Sequence, residues 1–361
     1  MEEDAYLKLA RVLDTLPNGF PATEDGAEIR LLKKIFTPEQ ADLFCDLRLT
    51  FETADQVAER TGRPREGLEE RLKAMGKAGQ LFAFDFGGAW VFKMLPWVFG
   101  IYEFQNERMD KDFAVLYDRY REIYGQQFFS KTPQLMQVLP IEKEIAVQQE
   151  ALSYERVSTL IEQSQSFLVN DCICKKEQGL LDKPCDRPVQ VCLALAPIPG
   201  VFDKAPQGRV LTREEAYALL KKTEELGLVH LTANMQWGNI YICNCCGCCC
   251  GVLAAINKLG IPASKVINSH YYAEIDPEKC LQCGICADER CQVKAIEEGE
   301  EAYHIIPERC IGCGLCISTC SGEAIQLVHK EPDQIVPPPI NEETWFEERG
   351  RVRGVDFAKY K

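Results

Sequence analysis

The placement of cysteine constrains this chain more than any other feature of its sequence. Of nineteen cysteines in 361 residues, eighteen lie between Cys172 and Cys320. Disulfide frameworks are typical of small secreted domains, and no basic, apolar leader opens this sequence, so we expect free thiols in a reducing cytoplasm. Crowded thiolates repel one another unless a metal neutralises them, which favours metal binding. The remaining cysteine, Cys45, stands among apolar residues and is predicted to be a small buried side chain.

The segment from residue 272 to 327 contains an internal repeat. The sequence EIDPEKCLQCGICADERCQVKAI is followed thirty residues later by HIIPERCIGCGLCISTCSGEAI. In both copies C-x2-C-x2-C follows a Pro-Glu-basic triplet, and a further cysteine precedes a short stretch ending in Ala-Ile. Three cysteines spaced this way can wrap a tight loop around one iron–sulfur cube, and the glycines allow backbone N–H groups to approach the sulfur atoms.

The repeat resembles a bacterial two-cluster ferredoxin. The resemblance implies two [4Fe–4S] clusters, each of which takes its fourth thiolate from the other repeat. It assigns Cys280, Cys283, Cys286 and Cys320 to one cluster, and Cys310, Cys313, Cys316 and Cys291 to the other. Four-cysteine zinc sites also use C-x2-C, but they rarely duplicate three evenly spaced cysteines.

Two departures from the ferredoxin pattern concern the fourth cysteine of each repeat. Gln292 and Ser321 stand where a proline usually follows that cysteine. The first repeat also has four residues, 287–290, where three are usual. An extra residue can bulge outward without moving the sulfur atoms, so we expect changes in local geometry and reduction potential, not loss of cluster binding.

Ten more cysteines lie upstream in two stretches. A helix predicted over residues 153–167 leads into the first stretch, where extended backbone would place Cys172 and Cys174 on one side. Between the stretches, Thr212 and Glu215 are predicted to form a capping box for a helix that runs to about Leu226. The second stretch is predicted to open a further helix, whose N-terminal N–H groups and dipole stabilise thiolates. The first stretch contains Cys172, Cys174, Cys185 and Cys192, and the second contains Cys243, Cys245, Cys246, Cys248, Cys249 and Cys250.

Two assignments of these ten cysteines are open. In one, the first stretch binds a cubane cluster and four of the later six bind another. In the other, the stretches interleave, and a single unusual cluster is one form that this arrangement could take. A zinc site or a redox-active thiol site is the alternative to both. The module is similar to cysteine-rich segments fused to ferredoxin domains in anaerobes, a resemblance that implies no particular role. His230 could add a ligand, although a lone histidine on a strand is more often packed and hydrogen-bonded.

The N-terminal pattern predicts three helices and a hairpin. The first helix covers 38–49, Thr53 and Gln56 form a capping box for the second, Pro64 opens the third, and residues 85–88 form a hairpin turn. This order resembles a winged helix, a fold that often binds DNA. Residues 1–100 contain thirteen basic and seventeen acidic residues, a net charge of −4, whereas DNA binding requires neutralisation of phosphates. We therefore expect this domain to dock a protein, and we expect no binding to DNA.

These patterns predict an α+β multidomain protein. A bridging helix is predicted over residues 102–124, and we expect its aromatic residues to be core. The C-terminal tail could bind a partner, wrap back on its own chain or stay solvated. The predicted segments are a winged-helix-like domain (1–100), a helical bridge (101–152), a cysteine-rich α/β metal-binding module (153–270), a two-cluster ferredoxin domain (271–330) and a Pro-rich spacer with tail (331–361).

The predicted function is electron transfer through two [4Fe–4S] clusters, and up to four if the middle cysteines also bind clusters. We expect a cytoplasmic protein or subunit, without catalytic activity of its own, that serves an oxidoreductase of anaerobic metabolism. The sequence has no phosphate-binding loop, identifiable small-molecule substrate site or apolar stretch long enough to span a bilayer, and its net charge of −14 favours a basic redox partner. The alternatives are a redox-sensing iron–sulfur transcriptional regulator and catalysis at a site-differentiated cluster in the middle module.

Overall fold

A computed structural model describes residues 4–142, 156–205 and 207–361. Its contacts divide the chain into two compact units. Within the described ranges, the first unit comprises residues 4–128, 180–182 and 346–361, and the second comprises the remainder. The five predicted segment boundaries stay a prediction, and the last part of the helical bridge, 143–152, lies outside the described residues.

The first unit is built from helices and one antiparallel hairpin. Thr53 and Gln56 form the predicted capping box, with both reciprocal hydrogen bonds present. The first predicted helix ends at Phe44 instead of Leu49, and the third begins at Leu68, after Gly67 in a left-handed conformation, instead of at Pro64. The elements are α1 (Ala5–Thr15), α2 (Ala27–Ile35), α3 (Pro38–Phe44), α4 (Ala54–Thr61), α5 (Leu68–Lys77), β1 (Phe82–Phe86), β2 (Ala89–Lys93) and α6 (Lys111–Phe129).

Aromatic side chains fill the core between α6 and the rest of the first unit. Tyr117, Tyr120 and Tyr124 are buried, and the rings of Tyr102 and Tyr117 stack with 4.0 Å between their centroids. These aromatic residues are core, as predicted, although α6 begins at Lys111 and not at Tyr102. Cys45 is also buried, and burial raises the pKa of its thiol to about 12.

The C-terminal tail folds back on its own chain. It forms helix α12 (Glu342–Arg353), on which Arg349 is fully buried and donates a hydrogen bond to the carbonyl of Phe128. Arg353 forms a 3.0 Å ion pair with Asp14, and the carbonyl of Tyr360 accepts a 2.7 Å hydrogen bond from the amide of Leu49. Of the three predicted possibilities, the structure therefore shows a tail that wraps back on its own chain.

The core of the second unit is a seven-stranded sheet within the described residues. Its order is β6-β4-β5-β8-β7-β3-β9, and every neighbouring pair is antiparallel except β3 and β9. The middle module is therefore α+β instead of the predicted α/β. The strands are β3 (Met136–Val138), β4 (Ser166–Asp171), β5 (Gln190–Ala196), β6 (Arg209–Leu211), β7 (Val229–Ala233), β8 (Tyr241–Cys245) and β9 (Ile267–Asn268).

Short helices flank this sheet, and one predicted helix is wrong in part. Residues 153–155 lie outside the described residues, and the helix covers Val157–Glu162, after which the apolar run of Phe167 forms β4. Short apolar runs fit either element, and pairing with β5 and β6 decides in favour of the strand. The predicted capping box of Thr212 and Glu215 is confirmed. The helices are α7 (Val157–Glu162), α8 (Ile173–Leu180), α9 (Arg213–Glu225), α10 (Gly251–Asn257) and α11 (Ala263–Val266).

The repeat region forms two small antiparallel pairs. Strand β10 (Tyr271–Ile275) pairs with β13 (Ile325–His329), and β11 (Ile296–Glu298) pairs with β12 (Tyr303–Ile305). The cysteine loops lie between these strands. Among the residues that the structure describes, no helix is both long and apolar enough to cross a membrane.

Candidate metal centres

One cavity in the repeat region is lined by cysteines from both repeats. Cys280, Cys283 and Cys286 of the first repeat meet Cys320 of the second, as the ferredoxin resemblance implies. Cys283 is exposed, so this cavity lies at the surface. The amide of Ala324 donates a 3.3 Å hydrogen bond to the Cys320 sulfur. Such N–H···S bonds stabilise thiolates and are one means by which a protein sets the potential of a cluster.

The second set, Cys310, Cys313, Cys316 and Cys291, lies deeper. Burial raises the pKa of Cys313 to about 12 and that of Cys316 well above its usual value, and the thiols of Cys310 and Cys291 add to both shifts. The amide of Ala295 donates a 3.1 Å hydrogen bond to the Cys291 sulfur, which matches the Ala324–Cys320 bond of the other repeat. The two sets are thus related by the repeat, but only the first contains a fully exposed cysteine, Cys283.

The two sets share one apolar core. Cys316 and Ile325 are buried in it, and Cys286, Cys291 and Cys320 pack against it. Cysteines of both sets therefore lie around the same small cluster of side chains. That closeness is what electron exchange between two bound clusters would require.

The extra residue of the first repeat has a defined position. Residues Cys286–Arg290 form a single π-type turn, in which the amide of Cys291 donates to the carbonyl of Cys286 at 3.0 Å. Such turns absorb one added residue and are frequent at functional sites. The bulge directs the buried Arg290 to the carbonyls of Glu224 and Glu225, at 3.0 and 2.9 Å. These carbonyls end α9, so the guanidinium caps a helix of the middle module.

Gln292, which replaces the usual proline, also contacts the middle module. Its side-chain oxygen accepts a 2.9 Å hydrogen bond from the amide of Gly247, which lies among the six clustered cysteines. Asn257 on α10 donates to the carbonyl of Gln292 at 2.9 Å. Both departures from the ferredoxin pattern that surround Cys291 therefore join the repeat region to the cysteine-rich loop. Sequence reasoning noticed these residues but did not predict this role.

The ten middle cysteines separate into a group of four and a group of six. The four have sulfur atoms that all lie within 4.8 Å of one another. Two neighbours in sequence, Cys248 and Cys249, both belong to this group, 3.7 Å apart. We call it the four-cysteine group; its members are Cys185, Cys246, Cys248 and Cys249.

The other six thiols interact in a continuous series. Cys174 contacts Cys172, which contacts Cys192, and the series continues through Cys243 and Cys245. Its last member, Cys250, interacts with Cys245 and also lies near Cys174, so the ends approach each other. We call these the six-cysteine group: Cys172, Cys174, Cys192, Cys243, Cys245 and Cys250.

The antiparallel sheet explains the six-cysteine group. Strands β4 and β8 both pair with β5 and end beside its beginning, which brings Cys172, Cys192 and Cys243 to one end of the sheet. Cys174 lies at the start of α8 and not in extended backbone as predicted, and Cys250 caps α10. The prediction that all six cysteines of the second stretch open a helix is wrong. Only Cys250 lies at the start of α10, and Cys243 and Cys245 are still in β8.

The two groups correct the first assignment of the sequence analysis. The Cys185 sulfur lies within 4.8 Å of three sulfur atoms of the later stretch, although Cys185 packs against the same apolar cluster as Cys174 and Cys192. The stretches interleave, as the second assignment expected, although into two groups and not around a single centre. Cys245 and Cys246 diverge into different groups, as do Cys249 and Cys250.

Electrostatics within both groups favours a bound cation. Interactions with Cys172 and Cys243 lower the pKa of Cys192 to about 5, and those with Cys249 and Cys248 lower the pKa of Cys246 to about 5. The pKa of Cys250 is raised well above its usual value by Cys245 and by burial. One ionised thiol therefore suppresses ionisation of its neighbours, and a metal would relieve that repulsion.

His230 is hydrogen-bonded within the sheet. It is buried opposite Asn244 in the β7–β8 pair, and its Nδ1 lies 2.6 Å from the Asn244 side-chain oxygen. Burial lowers the pKa of its imidazole. The histidine is packed and hydrogen-bonded, as is usual for a lone histidine on a strand.

Comparison with known proteins identifies the repeat region. Residues 272–321 match the family model of the 4Fe–4S dicluster domain. This segment is therefore similar to an iron–sulfur domain. A search of curated proteins found no match, and neither did a search of solved structures. The eight cysteines from Cys280 to Cys320 fall within the matched segment, whereas the four- and six-cysteine groups lie outside it.

Proposed function

We propose that this protein relays electrons through the two clusters of its dicluster domain and a third iron–sulfur cluster bound by the six-cysteine group. It would serve a cytoplasmic oxidoreductase of anaerobic metabolism and have no catalytic activity of its own. The observation that carries the proposal is the hydrogen bond between Gln292 and Gly247. It joins the residue after Cys291, a ligand of the deeper dicluster site, to the loop between Cys246 and Cys248.

The order of the sites supports a relay with a direction in space. The six-cysteine group lies at one end of the central sheet, beside the loop of Gly247. The buried set that contains Cys291 is joined to that loop through Gln292, and it shares an apolar core with the surface cavity that contains the exposed Cys283. Electrons would therefore exchange with a partner at the surface set and reach the middle module through the buried set.

Charge at the surface cavity favours a basic partner. The carboxylate-bearing residues Asp288 and Glu300 are exposed beside the loop of residues 280–286, where Gln282 donates a 3.1 Å hydrogen bond to the Glu300 carbonyl. An acidic rim around an electron-exchange site steers a basic protein toward it. This agrees with the net charge of −14 for the whole chain.

For the first unit we propose a winged-helix-like domain that docks a partner protein. Support comes from α3 to α5 followed by the β1–β2 hairpin and a bridge between Glu52 and Phe92. Its basic side chains are largely committed to carboxylates: Arg63 pairs with Asp42 and Asp46, and Lys73 pairs with Glu69 at 2.5 Å. Paired cations release few counterions from DNA, so they add little to affinity.

The third cluster can be tested by metal analysis of the full chain. We expect about twelve irons and a matching amount of sulfide per chain after anaerobic reconstitution, from three four-iron clusters. The quadruple variant Cys172→Ser, Cys192→Ser, Cys243→Ser, Cys245→Ser leaves two thiols in the six-cysteine group, too few for a cube, and should fall to about eight irons. Cys45→Ser is the control and should keep all of them. Eight irons in the unaltered chain would disprove a third cluster.

The docking proposal predicts no measurable DNA affinity for the full chain near physiological salt. The reason is that the α5 surface offers few unpaired cations to phosphates. Fluorescence titration against mixed-sequence and genomic duplexes measures this, in the oxidised and the reduced protein. Sequence-specific binding that changes with cluster oxidation state would instead favour the transcriptional regulator.

A further inference from the structure

The four-cysteine group differs from every other cysteine set in its size. Its sulfur atoms lie 3.8 Å apart for Cys185 and Cys246, 3.5 Å for Cys185 and Cys248, and 3.7 Å for Cys248 and Cys249. All pairs fall within 4.8 Å. The group is also compact in sequence, because three of its members occupy four consecutive positions, 246–249, with only Gly247 between them.

These distances match the coordination of one metal ion. A zinc–thiolate bond of about 2.3 Å places tetrahedral sulfur ligands about 3.8 Å apart. A four-iron cube holds each cysteine sulfur outside an iron corner, so its ligands stand roughly 6 Å apart. The spacing of the four sulfur atoms is that of the smaller centre, and four thiolates around a cube would have to separate by about half as much again.

The rest of the molecule provides an internal comparison. Across residues 4–142, 156–205 and 207–361, no other set of three or more Cys, His, Asp or Glu side chains has all its ligand atoms within 4.8 Å. In neither dicluster set, whose segment matches an iron–sulfur family, do three sulfur atoms lie within 4.8 Å of one another, so both sets are wider than a single-ion site. In the six-cysteine group, too, no three sulfur atoms lie within 4.8 Å of one another. The four-cysteine group alone, in the described part of the chain, has the dimensions of a single-ion site.

The surroundings indicate what such an ion would do. Cys185 lies in a loop between Pro184 and Pro188, whereas the other three precede α10. Cys246 and Cys249 are buried in an apolar cluster with Val191 and Leu228, while Cys248 is exposed. An ion here would cross-link two loops and fix Gly247, whose amide donates to Gln292.

We propose that Cys185, Cys246, Cys248 and Cys249 bind one Zn²⁺ ion in a closed, structural site that is separate from the iron–sulfur clusters. Four thiolates without an open coordination position are typical of structural zinc, and a thiolate site binds Zn²⁺ more tightly than Fe²⁺. The ion would hold the loop from which Cys245 and Cys250 turn toward the six-cysteine group. Zn²⁺ does not change its oxidation state, so it would take no part in electron transfer. The zinc proposal therefore does not depend on the proposed electron relay.

Metal analysis of the full chain, produced anaerobically with both iron and zinc supplied, tests the proposal. We expect about one zinc per chain in the unaltered protein and in Cys45→Ser, whose thiol lies in the first unit. The double variant Cys248→Ser, Cys249→Ser should lose that zinc and keep its iron. Absorption at the zinc edge should show four sulfur neighbours at about 2.3 Å and no iron neighbour.

Three results would overturn the zinc site. One is iron in place of zinc in the unaltered chain, and another is loss of about four irons, with no zinc lost, in the double variant. The third is four thiols that react freely with a thiol reagent in the native, metal-loaded protein. The edge spectrum and metal content of the unaltered chain decide the matter even if the variant does not fold. Loss of the third iron–sulfur cluster would appear in iron alone, so the two proposals fail separately.

Discussion

Replacing Cys320 with serine should remove the cluster held by the first repeat and leave the cluster of its own repeat intact. The reason is the geometry of the surface cavity, where Cys320 meets Cys280, Cys283 and Cys286. Iron content should fall by about four per chain. Because this is the exposed site, the rate of reduction by an external protein donor should fall by a larger factor than the iron content.

Mössbauer and EPR spectroscopy of the anaerobic variant measure which cluster is lost. Cys291→Ser is the matched variant, and it should affect the buried set that contains Cys313 and Cys316, while external electron exchange at the surface set persists. Damage confined to the Cys310–Cys316 site in Cys320→Ser would contradict the crossed arrangement. So would identical spectra from the two variants.

Local chemistry was predictable from the sequence. The capping boxes at Thr53 and Thr212 need only residues three positions apart, and both form as expected. The β1–β2 hairpin also follows from its turn residues. The helix predicted through Phe167 was wrong, because a short apolar segment fits a helix or a strand equally well until its partners are known.

The division of the middle cysteines was not predictable, because the sheet topology determines it. Spacing suggested that Cys185 belongs with Cys172 and Cys174, its neighbours in sequence. The strand order instead places Cys172 and Cys243 on either side of Cys192, across a gap of seventy residues, and α8 carries the chain away before Cys185. The antiparallel pairing of β5 with β8 determines which cysteines meet, and no motif in the cysteine pattern predicts that pairing.

The two departures around Cys291 show what an incomplete motif can reveal. The extra residue and the missing proline were visible in the sequence, but their partners lie some 45 to 66 positions away. Arg290 caps α9 and Gln292 binds Gly247, so both changes serve the junction between the repeat region and the middle module. A ferredoxin that stood alone would have no use for either contact.

Replacing Gly247 with alanine should uncouple the middle module from the dicluster domain. A β-carbon at this position would overlap the Gln292 carbonyl oxygen and would lie 3.1 Å from the Asn257 amide nitrogen. Backbone and a well-anchored side chain cannot move away cheaply, so the overlap should cost about 1–3 kcal/mol of folding free energy and open the junction. The Gly247–Gln292 hydrogen bond, and with it the proposed route from Cys291 to the six-cysteine group, would lengthen.

The rate of electron transfer within the chain reports whether the Gly247–Gln292 junction has opened. The dicluster clusters are reduced rapidly from outside, and freeze-quench EPR then follows the arrival of electrons at the third cluster. Gly179→Ala is the matched control, because a β-carbon there meets nothing within 4 Å and neither glycine has a positive φ. We expect a slower internal step in Gly247→Ala, with unchanged iron content, and no change in Gly179→Ala. An internal rate equal to that of the unaltered chain in both variants would exclude the Gly247–Gln292 junction as the route.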